Sequence, residues 1–206
     1  KVRSNFSETA FFFPQIQSNE KGEYVVKFTV PESLTKWRFK GFAHTKDLKF
    51  GQIEKEIQTQ KDLMVQPNAP RFLRENDKMT FTAKVVNLSD KEMTGKADLL
   101  LYDAITDKEI STKMIEAQHG KFSTIGERDF SAKKGQSDLL EWNISIPEGI
   151  GAIKYKVVAK AGNFTDGEEM VLPVMTNSML ITESMPLPIR SKQTKDFNFT
   201  KLINQN

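Results

Sequence analysis

The sequence predicts an all-β protein organised as antiparallel β-sandwiches, and three observations carry this prediction. Apolar and polar residues alternate with a period of two in several stretches, as at Tyr24, Val26 and Phe28, which is typical of strands with one solvent-exposed face. Turns rich in Asn, Asp, Gly and Pro separate these stretches. No sustained amphipathic helical stretch occurs. Short alternating strands with frequent turns favour a sandwich.

The middle of the chain, residues 61–174, is predicted to form one complete sandwich. Its length of about 110 residues is the commonest size for a domain. The last two strands are predicted to form a hairpin that turns at Asp166 and Gly167. The predicted strands lie near Leu63 and at residues 79–88, 96–102, 110–117, 122–130, 139–146, 153–161 and 168–174.

One stretch of this middle region, residues 109–118, is ambiguous between strand and helix. Ile110, Met114 and Ile115 also fit one apolar face of a helix. The strands predicted on either side favour β structure there.

The two ends of the chain are predicted to be parts of neighbouring β domains. Residues 1–60 supply only enough predicted strands for half a sandwich, at residues 9–13, 24–30, 37–44 and 50–58. Residues 175–206 supply two more, at residues 179–182 and 196–200.

Composition and charge exclude several classes of function. The net charge of +3 is too small to attract nucleic acid, and Lys36, Arg38 and Lys40 alternate with rings as on a solvated strand face. Absence of cysteine excludes disulfides, zinc–thiolate sites and cysteine nucleophiles. The glycines form no phosphate-binding pattern, and no serine-nucleophile motif occurs. We therefore predict no enzyme activity, no nucleic-acid partner and no small-molecule cofactor.

The remaining polar candidates are weak, and no catalytic, cofactor-binding or metal-ligating residue is predicted. His44 and His119 are the only histidines and lie on separate predicted domains, which disfavours a metal site. Glu54 and Glu56 share one strand face, as an acid/base pair would. Nearby lysines favour an ordinary solvated edge instead.

The aromatic residues are predicted to serve packing. Trp37 and Trp142 each lie in phase with the apolar face of a strand, which favours core positions over a ligand platform. The three consecutive phenylalanines at residues 11–13 break the alternation and predict burial on both faces, at a domain junction or under a missing half of a sandwich. In the isolated chain they are expected to form an exposed apolar patch.

Several stretches, read in order, resemble the α2-macroglobulin family. Residues 3–10 read Arg-Ser-Asn-Phe-Ser-Glu-Thr-Ala, and residues 30–37 read Val-Pro-Glu-Ser-Leu-Thr-Lys-Trp. Residues 42–51 place Thr and Asp before a glycine, as the family does. Residues 70–77 resemble the bacterial form of a loop that opens a macroglobulin domain, and residues 177–186 resemble the entry to the insert that carries the thioester domain.

This resemblance implies an immunoglobulin-like macroglobulin fold and a domain order. Residues 1–60 would be the second half of one macroglobulin domain, residues 61–174 a complete one, and residues 175–206 the start of a CUB-like domain. The family inhibits endopeptidases: a protease cuts a bait segment, the β domains rearrange, and the protease is trapped. The resemblance therefore implies a structural scaffold, with endopeptidases as partners of the full-length parent and neighbouring domains of the same chain as contacts.

Departures from the family pattern limit which functional residues of the family can be assigned to this chain. Ser7 stands where many relatives have proline, and Asn76 where many have glycine; Asn is the best other choice if that turn needs a positive φ. The family's Cys-Gly-Glu-Gln thioester is absent, since the chain has no cysteine. A hinge is expected near residues 172–176.

The resemblance also implies export, to the periplasm, the cell surface or the extracellular space, with a membrane anchor on the parent chain as one arrangement. The alternative hypothesis is a surface or periplasmic β-sandwich module that binds or adheres without trapping a protease.

Overall fold

A computed structural model describes residues 2–117, 124–178, 182, 184 and 186–198. The regular secondary structure of the described residues is almost entirely β-strand, as predicted. The elements are β1 (Lys36–His44), β2 (Phe50–Gln58), β3 (Leu63–Asn68), β4 (Leu73–Arg74), β5 (Lys78–Asn87), β6 (Met93–Asp103), α1 (Ser111–Met114), β7 (Glu127–Ala132), β8 (Ser137–Ser145), β9 (Ala152–Ala161) and β10 (Phe164–Met175).

Strands β3 to β10 form a sandwich of two sheets. The larger sheet has the strand order β4-β10-β9-β6-β7, and the smaller has the order β3-β5-β8. Neighbouring strands are antiparallel, except for β4, which pairs in parallel with the end of β10. The alternation in β9 is confirmed, because Ile153, Tyr155 and Val157 are buried while the residues between them are not.

The centre of the sandwich is aromatic. Trp142 of β8 is fully buried, and its indole N–H donates to the carbonyl oxygen of Gly126 at 2.6 Å. The Phe81 ring lies 6.4 Å from the Trp142 ring and 5.3 Å from the Tyr155 ring, which comes from the opposite sheet. The predicted core position of Trp142 is therefore confirmed.

The hairpin β1–β2 forms a separate two-stranded sheet. The strands predicted at residues 9–13 and 24–30 are wrong, since neither stretch is a strand. Alternation indicates which side of a chain is apolar, but a strand also needs a hydrogen-bonded neighbour. Tyr24 and Phe28, although in phase, are 62% and 48% exposed.

The strand predicted at residues 110–117 is also wrong. Residues Ser111–Met114 form one helical turn, flanked by isolated bridges at Glu109 and Ile115. Ile110, Met114 and Ile115 all enter the core, which helical spacing permits. Helical structure is limited to Ser111–Met114, so the helical alternative holds for the middle of the stretch and not for Glu109 and Ile115.

Two further predictions near β10 need correction. Asp166 and Gly167 do not form a turn, because the hairpin turns at Gly162 and Asn163, where Gly162 has a φ of +56°. The expected hinge at residues 172–176 falls largely inside β10, where Leu172 and Val174 are buried in the core.

The remaining predicted strands lie at the edge of the described structure. The strand predicted at residues 122–130 begins at Glu127, and residues 118–123 lie outside the described residues. The strand predicted at residues 179–182 falls outside the described residues except for residue 182. The strand predicted at residues 196–200 is wrong over residues 196–198, because the described part of residues 182–198 contains no strand; residues 199–200 lie outside the described residues.

Candidate functional site

The predicted acid pair on β2 is held in cross-strand ion pairs. Glu56 lies 3.2 Å from the Lys36 ammonium and 3.4 Å from the Arg38 guanidinium, and Glu54 lies 3.1 Å from Arg38. The hydrogen bond from Lys36 and its charge lower the pKa of Glu56. A carboxylate with a lowered pKa stays ionised at neutral pH, so the arrangement fits a solvated charged face and not general acid catalysis.

The other face of the hairpin carries Trp37 and Phe39, as the alternation predicted. Trp37 is half-buried, and its indole N–H donates to the Thr59 hydroxyl at 3.1 Å. It belongs to the hairpin and lies outside the sandwich core.

The histidines do not form a metal site in the described structure. His44 is exposed at the end of β1, with its ring 6.0 Å from that of Phe42. His119 lies outside the described residues. Within the part of the chain that the structure describes, no three His, Asp or Glu residues are grouped so that they could hold a metal ion.

Within this chain the phenylalanines at residues 11–13 are not buried on both faces, which fits the exposed apolar patch expected when the neighbouring domain or missing half is absent. Phe11 packs on Phe28 and Phe39, with ring centroids 4.3 and 6.1 Å away. Phe12 is 79% exposed, and Phe13 is 48% exposed. Of these three phenylalanines, only Phe11 is partly buried by other residues of this chain.

A buried ionic cluster, which the sequence did not reveal, lies where the first residues of the chain meet the sandwich. The carboxylate of Asp166 in β10 accepts two hydrogen bonds from the Arg3 guanidinium, at 2.9 and 3.1 Å. It also accepts one from the Lys61 ammonium at 2.7 Å. The Val65 N–H of β3 donates to the same carboxylate at 3.0 Å. The Asp166 side chain is fully buried.

Arg3 also joins the main chain of the larger sheet. Its N–H donates to the Gly167 carbonyl at 2.8 Å, and its carbonyl accepts from the Glu169 N–H at 3.0 Å. The first residues therefore run parallel to β10 for one bridge. The Phe6 ring covers the guanidinium at 5.6 Å, which helps to exclude water.

The pKa values of the two neighbouring acids, Asp166 and Glu168, are shifted in opposite directions. Burial would raise the pKa of Asp166, but the hydrogen bonds that surround it outweigh burial and lower the pKa. Burial raises the pKa of Glu168, and the Arg3 guanidinium 3.2 Å away offsets this only in part. Asp166 therefore has the stronger preference for the ionised form.

Sequence reasoning missed this cluster because its members are far apart in the chain. Arg3 and Asp166 are separated by 163 positions, and no periodicity links them. The available signal was an aspartate at an in-phase, inward position of a strand, which requires a charged partner. Interpreting Asp166 and Gly167 as a turn concealed that signal.

A second polar contact holds the segment that follows β10. The main-chain N–H of Asn177 donates to the Glu75 carboxylate at 3.2 Å, and its side-chain amide donates to the Glu75 carbonyl at 2.7 Å. The turn before β5 has a φ of +65° at Asn76, as expected if asparagine replaces a glycine there. This turn therefore fixes where the chain leaves the sandwich.

Comparison with known proteins gives one family. The model of the Alpha-2-macroglobulin family matches residues 9–99. A Thermotoga maritima protein named Alpha-2-macroglobulin is 28% identical over 173 residues, which are 84% of this chain and 10% of that protein. Circularly permutated Ras protein 2 of Dictyostelium discoideum is 26% identical over 185 residues, covering 89% of this chain and 4% of that protein.

Solved structures agree with the fold. The crystal structure of trypsin-activated α2-macroglobulin from Escherichia coli matches 76% of this chain and 10% of its own, with a TM-score of 0.60 and 18% identity. At that identity the similarity concerns the fold alone. The chain thus spans about a tenth of the length of the relatives that share the family name.

In the described part of the chain, no helix has the length and apolar character needed to cross a membrane.

Proposed function

Because the chain belongs to the α2-macroglobulin family, we propose that it is a scaffold segment of an endopeptidase inhibitor and takes no chemical part in inhibition. The observation that carries the proposal is the family match together with the way the chain uses its charges. The acids on the hairpin and in the buried cluster are paired with Lys and Arg and hold β elements together.

The proposed mechanism is steric. A protease would cut a bait segment elsewhere in the full-length protein, and the β domains would then rearrange around it. The part played by this chain would be to move as a rigid body. A sandwich with a continuous buried core on both sheets suits that part, because close-packed interiors resist deformation.

The proposed domain assignment follows from the same resemblance. Residues 1–60 would be the second half of one macroglobulin domain, residues 61–174 a complete one, and residues 175–206 the start of a CUB-like domain. The exposed apolar face of the hairpin, with Ile57 64% exposed, supports the first assignment, since half a sandwich leaves its inner face uncovered. The full-length protein is proposed to be exported and to meet endopeptidases outside the cytoplasm.

The test compares residues 1–206 with the full-length protein in a trypsin assay. Each protein is added in molar excess over trypsin. The rates at which trypsin hydrolyses casein and a small chromogenic peptide are then measured. A steric trap should slow casein hydrolysis by the full-length protein but leave the peptide accessible. Residues 1–206 alone should change neither rate.

Two results would contradict the proposal. Stoichiometric inhibition by residues 1–206 would mean that this segment itself blocks the protease. Equal rates of casein hydrolysis with and without the full-length protein would exclude protease trapping and favour a binding or adhesion module instead.

A further inference from the structure

We propose that Asp166 is a latch that holds both ends of the segment 3–61 against the sandwich, and so fixes the position of the hairpin β1–β2. The name Asp166 latch is used below for Asp166 with the three residues that donate four hydrogen bonds to it, Arg3, Lys61 and Val65. This inference does not depend on protease trapping.

The first end of the segment is held by Arg3. Its guanidinium gives two hydrogen bonds to the Asp166 carboxylate and a third to the Val65 carbonyl, at 2.8 Å. Arg3 is only 6% exposed, so this contact is sheltered from solvent screening.

The second end is held by Lys61, two residues before β3 begins. Its ammonium lies 2.7 Å from Oδ1 of Asp166, while its side chain remains 38% exposed. Arg3 and Lys61 are 58 positions apart in the sequence, yet they share one carboxylate. Between them β1 and β2 pair with each other and, in the described structure, with no strand of the sandwich sheets.

A carboxylate suits this position better than any neutral group. Oδ1 accepts from Arg3 and Lys61, and Oδ2 accepts from Arg3 and Val65, so that four donors meet two oxygens. An asparagine would present an N–H₂ group to some of these donors and carry no charge. Asp166→Asn therefore keeps the shape of the side chain and removes the function of the latch.

The absence of cysteine makes the test direct, because two introduced cysteines can be spin-labelled specifically. Gln52→Cys on β2 and Lys84→Cys on β5 are exposed positions on the hairpin and the sandwich. Pulsed electron–electron double resonance then measures the distribution of distances between the two spin labels. The latched chain should give one narrow distribution, and Asp166→Asn and Lys61→Met should each broaden it.

The matched control is Lys134→Gln, which removes a lysine paired with exposed Asp90 at 3.7 Å, away from the latch. It should leave the distribution unchanged. Near-ultraviolet circular dichroism of the buried Trp142 checks that the sandwich is folded in each variant.

Unchanged distributions in both Asp166→Asn and Lys61→Met would overturn the proposal. If Asp166→Asn does not fold, Lys61→Met decides alone, because its half-exposed side chain can be replaced without opening the core. A broadened distribution in folded Lys61→Met supports the latch, and an unchanged one overturns it.

Discussion

Arg3 and Asp166 together satisfy both main-chain polar atoms of Val65. The Arg3 guanidinium donates to the Val65 carbonyl at 2.8 Å, and the Asp166 carboxylate accepts from the Val65 N–H at 3.0 Å. Val65 lies in β3, at the edge of the smaller sheet, and Asp166 lies in β10 of the larger sheet. The ion pair therefore links β10 of the larger sheet to the edge strand β3 of the smaller one, where the backbone groups of Val65 would otherwise be unpaired and buried.

Glu168, beside this pair, is predicted to weaken the fold slightly at neutral pH. Its folded pKa is raised above the unfolded value of 4.5, so its ionised form is disfavoured by burial. Glu168→Gln should therefore leave the free energy of unfolding unchanged or raise it by up to about 1 kcal/mol at neutral pH. The advantage should disappear as the pH falls through the folded pKa, because Glu168 then becomes neutral.

Urea unfolding at several pH values measures this difference, with Glu169→Gln as the neighbouring control. Asp166 titrates in both proteins and cancels in the comparison. A loss of more than about 1 kcal/mol in Glu168→Gln at neutral pH would show that its ion pair with Arg3 outweighs burial.

Gly126 is predicted to be intolerant of any side chain. A Cβ there would lie 2.1 Å from the Leu99 carbonyl oxygen, and the Gly126 carbonyl accepts from both the Leu99 N–H and the Trp142 indole. Gly126→Ala should lower the free energy of unfolding by about 3 kcal/mol or more. Gly51→Ala in β2 is the matched control, since nothing lies within 4 Å of its Cβ. Equal thermal stability of the two variants would disprove the close approach.

Trp142 is predicted to contribute more to the free energy of unfolding than Trp37 does. Trp142→Ala removes a fully buried ring and should cost about 3 to 5 kcal/mol. Trp37→Ala, on the hairpin outside the core, should cost clearly less. Thermal unfolding followed by circular dichroism tests this order, and a Trp142→Ala variant that melts like the unmodified chain would contradict it.

Tyr155 is predicted to limit stability at alkaline pH. Burial, with a smaller effect of the Glu168 carboxylate, raises the pKa of Tyr155 to about 12 from its ordinary value of 10.0. The raised folded pKa gives stability that is fully present below pH 10 and is lost as the pH rises towards 12. The shift corresponds to about 3 kcal/mol.

Comparison with Tyr155→Phe isolates this effect, because phenylalanine cannot ionise. The stability of Tyr155→Phe relative to the unmodified chain should rise by about that amount across this pH range. A constant difference across the range would mean that the Tyr155 phenol ionises equally easily in the folded and unfolded chains.

The sequence was sufficient for those parts of the fold that depend on local pattern. Ile153, Tyr155 and Val157 alternate inwards as predicted, and Trp142 lies at the centre of the core. The positive φ of Asn76 was also predictable, because few residues other than glycine adopt it.

The failures share one cause, which is that pairing and burial partners are not local. Tyr24 and Phe28 have strand alternation but no neighbouring strand, and Ile110 and Met114 pack through one helical turn. The Asp166 cluster could not be predicted, because its donors come from the first residues, from Lys61 and from β3.

This chain is proposed to be part of the moving scaffold of a protease trap. The most direct measurement is the sedimentation coefficient of the full-length protein before and after stoichiometric cleavage by trypsin under native conditions. We expect a larger coefficient after cleavage, because the β domains of the proposed trap would close around the bound protease. An unchanged coefficient, with the bait segment fully cut, would contradict it.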